Sequence, residues 1–182
     1  MNDAARPLGL AYWALPERLL AGAYPGHGDP EIETRQLGAL LGAGVVRVLD
    51  LMDEEPRGAP PYAPRLVELA RERGVQVRIE RVPIEDHGVP GPAELALLEA
   101  WLDRIPSNPH APRGASYLHC WGGRGRTGLA VGVALLRRHR ADAETLLPRL
   151  ARLRTGLPGE SPESDEQRSF LRDYAAALRA RS

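Results

Sequence analysis

ASYLHCWGGRGRTGLAVGVALLRRHR, residues 115–140, reads as three pieces of structure in a fixed order. Residues 115–119 are short and mostly apolar, as a strand is. A turn follows in which four glycines fall within residues 119–128 around a single cysteine and two arginines. From Thr127 onward the chain is apolar on every side, which predicts a buried helix, with Gly128 and Gly132 allowing close approach to a sheet. Strand, glycine-rich turn, buried helix is the repeating unit of α/β architecture.

The flanking sequence repeats that alternation. Leu19–Tyr24 predicts a short strand, stopped by Pro25 and Gly26. Asp29-Pro30 offers a helix N-cap with proline at the first turn, and the helix runs to Gly42 and Gly44. VVRVLDL (45–51) predicts a strand buried on both faces, followed by a Pro-rich loop. Leu66, Leu69 and Ala70 mark a short helix ended at Gly74. VQVRIERVPI (75–84) alternates as a strand does, and EDHGVPGP follows as a loop. Pro92 opens a helix carrying Leu95, Leu98, Leu102 and Ile105, closed by Pro106. ADAETLLPRLARLR (141–154) suggests another helix, and Phe170, Tyr174 and Leu178 give the last segment an apolar stripe. The expectation is one α/β domain over residues 1–182, its core about 15–178, with a mainly parallel twisted sheet of about four or five strands and helices on both faces.

Composition narrows the function. The 182 residues are 43% apolar and 26% charged, ordinary for a globular chain. The 24 basic residues, all arginine, are cancelled by 24 acidic ones, so no global field gathers nucleic acid or anionic membrane. The absence of lysine excludes a Schiff-base lysine and the lysine of a Walker nucleotide loop. One cysteine rules out an internal disulfide or a multi-cysteine metal site and suggests a reducing compartment. The N-terminus has no apolar secretory region, and no apolar run approaches membrane-spanning length. A cytoplasmic monomer without metal or cofactor, and without stable membrane association, is the expectation.

The turn supplies the chemistry. A glycine-rich connection from strand to helix aims several backbone N–H groups at one point, where the helix dipole adds positive charge. Such a cup binds a phosphate- or sulfate-like oxyanion. Within it the thiolate form of Cys120 is favoured by that dipole and by Arg126. Arg126 can grip two oxygens of a tetrahedral oxyanion through its planar fork. The Thr127 hydroxyl either donates to the Cys120 sulfur or caps the helix, or does both. His119 would brace the cysteine through backbone behind the loop. The plain alternative is a tight turn whose cysteine is a small core hydrophobe; it leaves an arginine at the closure of the turn unexplained.

H-C-x-x-G-x-G-R-T-G, residues 119–128, resembles the signature loop of the cysteine-dependent protein tyrosine and dual-specificity phosphatases, in a small bacterial-type form. The resemblance implies that Cys120 takes the phosphoryl group, Arg126 clamps phosphate and Thr127 assists hydrolysis of the phosphocysteine. It also implies that Trp121, Gly122, Gly123, Arg124 and Gly125 supply the N–H cradle. Cysteine displaces an alcohol only if an acid protonates the leaving oxygen. In P-I-E-D-H-G-V-P the register of the family's acid loop falls on Asp86, 34 positions before Cys120, with Glu85 as the neighbouring candidate. The substrate implied is a phosphorylated protein or small phosphomonoester.

Weaker correspondences accompany these. Gln167 stands where some relatives position the hydrolytic water, and Ser164-x-x-Gln167 reads equally as a capping box. Asp50, Asp53, Glu54 and Glu55 flank the substrate region or form a solvated acidic loop, and Arg57 in the same loop is a candidate for steering phosphate. Trp121 and Arg124 occupy positions where the phosphoinositide-directed branch often has lysines, so Arg124 either answers a second phosphate, points to solvent or pairs with an acid. A phosphoinositide or inositol phosphate phosphatase with the same mechanism, a non-catalytic phosphate-binding module and a rhodanese-like sulfur transferase are the competing functions.

Overall fold

Residues Ala11–Leu15 (β1) turn back through Pro16, Glu17 and Arg18 into Leu19–Gly22 (β2), forming an antiparallel pair. The chain then alternates through Pro30–Gly42 (α1), Val45–Met52 (β3), Ala63–Glu72 (α2), Arg78–Ile84 (β4), Pro92–Asp103 (α3), Ala115–His119 (β5) and Gly125–Arg137 (α4). Leu146–Leu153 (α5) and Asp165–Ala180 (α6) complete it. The computed structural model describes residues 6–54, 58–107, 114–138, 142 and 144–181. The sheet runs β1-β2-β5-β3-β4, and every pairing after the first is parallel.

The single α/β domain with a mainly parallel sheet is therefore as the sequence predicts, with differences at its edges. β1 was not foreseen: it is five residues long, and four of them are buried, so it lacks the alternation that signals a half-exposed strand. β4 begins at Arg78 rather than residue 75, and α4 begins at Gly125, placing Arg126 and Thr127 in its first turn. The helix expected over 141–154 is α5, beginning at Leu146; residues 139–141 and 143 lie outside the described residues, as do Glu55 and Arg57.

Local chemistry explains the well-predicted boundaries. Asp29 accepts from the N–H groups of Glu31 (2.8 Å) and Ile32 (3.2 Å), and Pro30 opens α1. Gly74 takes a φ of +68° where the chain leaves α2. One apolar cluster fills the face covered by α1 and α2, around Leu37, Leu40, Leu66 and Tyr117. A larger one fills the opposite face, where α3, α4, α5 and α6 pack around Leu49, Leu118, Leu129 and Leu171. Twelve of the thirteen α4 residues are buried, which is why that helix is apolar all round. No described helix is long and apolar enough to cross a membrane.

The parallel order places the C-terminal ends of β2, β5, β3 and β4 along one rim. The segments that leave them, from Ala23, Cys120, Asp53 and Glu85, meet there, as ligand-binding loops do in open α/β sheets.

Gly132 shows how closely α4 approaches α6: a Cβ there would lie 2.7 Å from both methyl carbons of buried Leu171, whereas a Cβ at Gly42 in α1 would meet nothing within 4 Å. Helix propensity favours alanine over glycine by about 1 kcal/mol in a helix interior, as at Gly132, and by less at Gly42, the last residue of α1. Gly42→Ala should raise the urea midpoint, and Gly132→Ala should lower it as overpacking outweighs propensity. A rise in both variants would contradict the close α4–α6 contact.

Candidate active site

Cys120 follows β5 directly and is 3% exposed. The segment after it closes tightly because Gly123 adopts φ +67°, and a Cβ there would sit 2.6 Å from the backbone of Gly22 and Ala23. The Trp121 carbonyl accepts from the Tyr24 N–H (3.0 Å), tying the turn to the segment that leaves β2. From beneath, Arg154 donates to the Gly123 carbonyl (2.6 Å) and to Pro158 O (2.9 Å). Ser161 Oγ donates to the Arg124 carbonyl (2.8 Å). Arg154 carries no local motif, and its role as a brace is visible only in three dimensions.

Thr127 is fully buried, and its Oγ1 accepts from the Cys120 N–H at 2.9 Å. The same oxygen lies 3.1 Å from both Cys120 Sγ and the Gly22 carbonyl, two acceptors for one hydroxyl proton. The sulfur contact expected for Thr127 is thus present. The alternative capping role is not: Arg124 is the N-cap of α4, with no side-chain cap bond.

Arg126 is 2% exposed, so its charge must be met from within. Nη1 donates to Asp53 Oδ1 (2.9 Å) and Ile84 O (3.1 Å), and Nη2 faces Asp86 Oδ1 at 2.9 Å. Nε has no partner among the described residues. Asp86 thus reaches the guanidinium that begins six residues beyond the cysteine, whereas Glu85 lies exposed and its carbonyl accepts from the Gly88 N–H (3.0 Å). Asp53, read in sequence as an acid of a flanking loop, is the second carboxylate on Arg126. Asp50 lies apart, buried in β3, where it accepts from the Met52 N–H and pairs with Arg81.

The acid loop is itself held down. Ser164 Oγ donates to His87 O (2.7 Å), and Gln167 Nε2 donates to Gly88 O (3.0 Å). Gln167 Oε1 accepts from the N–H groups of Glu163 (3.1 Å) and Ser164 (3.3 Å), completing a capping box at α6. Gln167 is fully buried. Of the two roles considered for it, the capping one is formed. Arg124 pairs with Glu163, so the acid pairing considered for it is also formed.

His119 stands fully buried behind the cysteine. Its Nε2 lies 2.8 Å from Tyr62 Oη, and the ring stacks on Tyr117 at 5.6 Å. Burial, opposed in part by the Asp50 carboxylate, lowers its pKa from 6.5 to about 4. Burial also pushes the Tyr62 phenol well up, with the Asp50 charge adding to the effect. Two neutral rings therefore stand behind Cys120, and His119 is unsuited to serve as a charged group at neutral pH. No group of three or more His, Cys, Asp or Glu among the described residues could hold a metal ion.

Residues 12–172 match the family described as Swiss Army Knife protein, DSP-PTPase phosphatase domain. No curated protein matches the chain. Among solved structures, PTPMT1 in complex with PI(5)P is 22% identical, with 91% of this chain and 94% of that chain covered at a TM-score of 0.65. Kinase associated phosphatase, with its catalytic-site cysteine replaced by serine, is 19% identical over 94% of this chain and 95% of its own, TM-score 0.66. Human DUSP28 is 22% identical over 96% and 99%, TM-score 0.59. These three share the fold.

The imidazole of His119 gains a proton near pH 6.5 when unfolded and only near pH 4 when folded. The stability its neutral form supplies is complete above the unfolded value and is lost as pH falls toward the folded one. The loss should reach roughly 3 kcal/mol across that interval. Urea unfolding at pH 7, 5 and 4 should show a distinctly shallower pH slope in His119→Gln than in the parent; equal slopes would contradict a buried neutral imidazole.

Proposed function

The chain belongs to the DSP-PTPase phosphatase domain family, and from that premise we propose that it hydrolyses phosphomonoesters through a phosphocysteine on Cys120, as a tyrosine or dual-specificity type of phosphatase. The observation that carries the reading is the buried Arg126, which begins in the cysteine loop and reaches Asp86 at 2.9 Å. One guanidinium thereby links the site of attack to the acid.

In the first step the Cys120 thiolate attacks phosphorus. A sulfur–phosphorus bond forms as the ester oxygen departs, and Asp86 gives that oxygen its proton. In the second step Asp86 takes a proton from water, the oxygen attacks phosphorus, and the sulfur leaves with inorganic phosphate released. Arg126 and the N–H groups of residues 121–125 bear the charge on the equatorial oxygens. Phosphate competes with Asp86 for the guanidinium, and the partnerless Nε is a further donor for an oxyanion. When the sulfur leaves, the Thr127 proton can turn from Gly22 O to Sγ, both 3.1 Å away. Asp53 then acts as a positioning residue, keeping one outer nitrogen engaged while the other serves phosphate.

A phosphorylated protein side chain and a small phosphomonoester are equally open to this mechanism. In the phosphoinositide alternative Arg124 would have to leave Glu163 before it could answer a second phosphate.

Cys120→Ser should abolish turnover of p-nitrophenyl phosphate while orthovanadate still binds, as read by calorimetry; retained turnover would reject the covalent mechanism. Asp86→Ala should lose about 100-fold or more in kcat on alkyl phosphates and far less on p-nitrophenyl phosphate. Equal losses on both would move the acid elsewhere.

A further inference from the structure

The end of the sheet opposite the cysteine cup carries a second concentration of charge. Register sets Arg47 of β3 beside Arg78 of β4 on one side and beside Ser116 of β5 on the other. Partnered residues share a face of the sheet, so two cations stand next to each other there, an arrangement that is destabilising unless something answers it. With Arg104, the C-cap of α3, they line an open recess of about 510 Å³ that also includes Glu80, Asp103 and Ser116. The extended chain from Arg47 to Asp53, at the cup, spans roughly 20 Å, so the two ends of the sheet do not share a small ligand.

The carboxylates of the recess do not balance its cations. Glu80 serves two of them, with Oε2 2.6 Å from Arg104 Nη2 and Oε1 3.9 Å from Arg47 Nη2. Asp103 is taken by Arg137, whose Nη2 reaches both its oxygens at 2.8 and 2.7 Å. Arg78 has no carboxylate partner among the described residues. The carbonyls at the end of α3 make no demand on Arg78 or Arg104 either: Arg47 donates to Trp101 O, Arg138 to Leu102 O and Arg18 to Pro106 O.

Arg47 is also held in place, its guanidinium lying over the Trp101 ring at 4.7 Å. Burial and then the charge of Arg104 lower its pKa, Glu80 opposes them, and Arg78 adds to the fall. We propose that this recess is a second oxyanion site, in which Arg47, Arg78 and Arg104 bind a small molecule bearing a diphosphate group. Three cations around one shared carboxylate match an anion of two or more charges, and planar guanidinium forks suit phosphate oxygens. Such a ligand would draw together β3, β4 and β5, the strands that lead to Asp53, Asp86 and Cys120.

The probe is methylenediphosphonate, whose P–C–P linkage resists hydrolysis, added at constant ionic strength to isotope-labelled protein. Amide resonances of Val46, Arg47, Arg78, Ile79 and Ser116 should shift saturably, with a Kd at least about tenfold weaker in Arg78→Gln. Because Arg78 meets no carboxylate and stands beside a like charge, the same variant should keep or raise the urea midpoint of the free protein. Shifts confined to residues 120–127, or an equal Kd in the variant, would overturn the second site. A lower midpoint in Arg78→Gln would overturn it too, by assigning Arg78 to the fold.

Discussion

A guanidinium taken almost wholly out of water is the constraint around which this site is organised. Arg126 is 2% exposed, and an unmatched charge at that depth would cost several kcal/mol. Asp53 arrives from the end of β3, Asp86 and the Ile84 carbonyl from the end of β4, and the arginine itself from the first turn of α4. Three elements distant in sequence are thus obliged to meet at one group. The parallel strand order brings their ends together, and the ion pairs set their separation.

The backbone of the turn is organised by the same logic applied to neutral groups. Gly123 permits a close approach to β2 that no side chain could make, and Arg154, Ser161 and Tyr24 each satisfy one part of the turn from outside. These partners engage the carbonyls of Trp121, Gly123 and Arg124. Behind the turn, His119 and Tyr62 fill the space with neutral hydrogen-bonding rings rather than charge.

Much of this was legible in the sequence because it is local. A strand of five residues, a glycine-rich turn and an apolar helix follow one another without interruption, so β5, the cup and α4 could be read in order. Proline and aspartate punctuation located α1 and α3 for the same reason. The partners of the cup were not legible, since Arg126 and Asp53 are 73 residues apart and Arg154 and Gly123 are 31 apart. An arginine at the end of an amphipathic helix looks the same whether it faces solvent or a buried carbonyl. β1 escaped for another reason: a strand buried on both sides shows no alternation, and five residues are too few for any other signal.

The anchoring of the 85–88 turn to α6 has a dynamic consequence. With the His87 and Gly88 carbonyls fastened by Ser164 and Gln167, the main chain is moored immediately after Asp86, beyond a residue at φ +62°. Proton delivery would then require rotation about the side-chain bonds of one aspartate, a motion of picoseconds to nanoseconds, in place of the slower flap excursions by which many enzymes enclose their reactants.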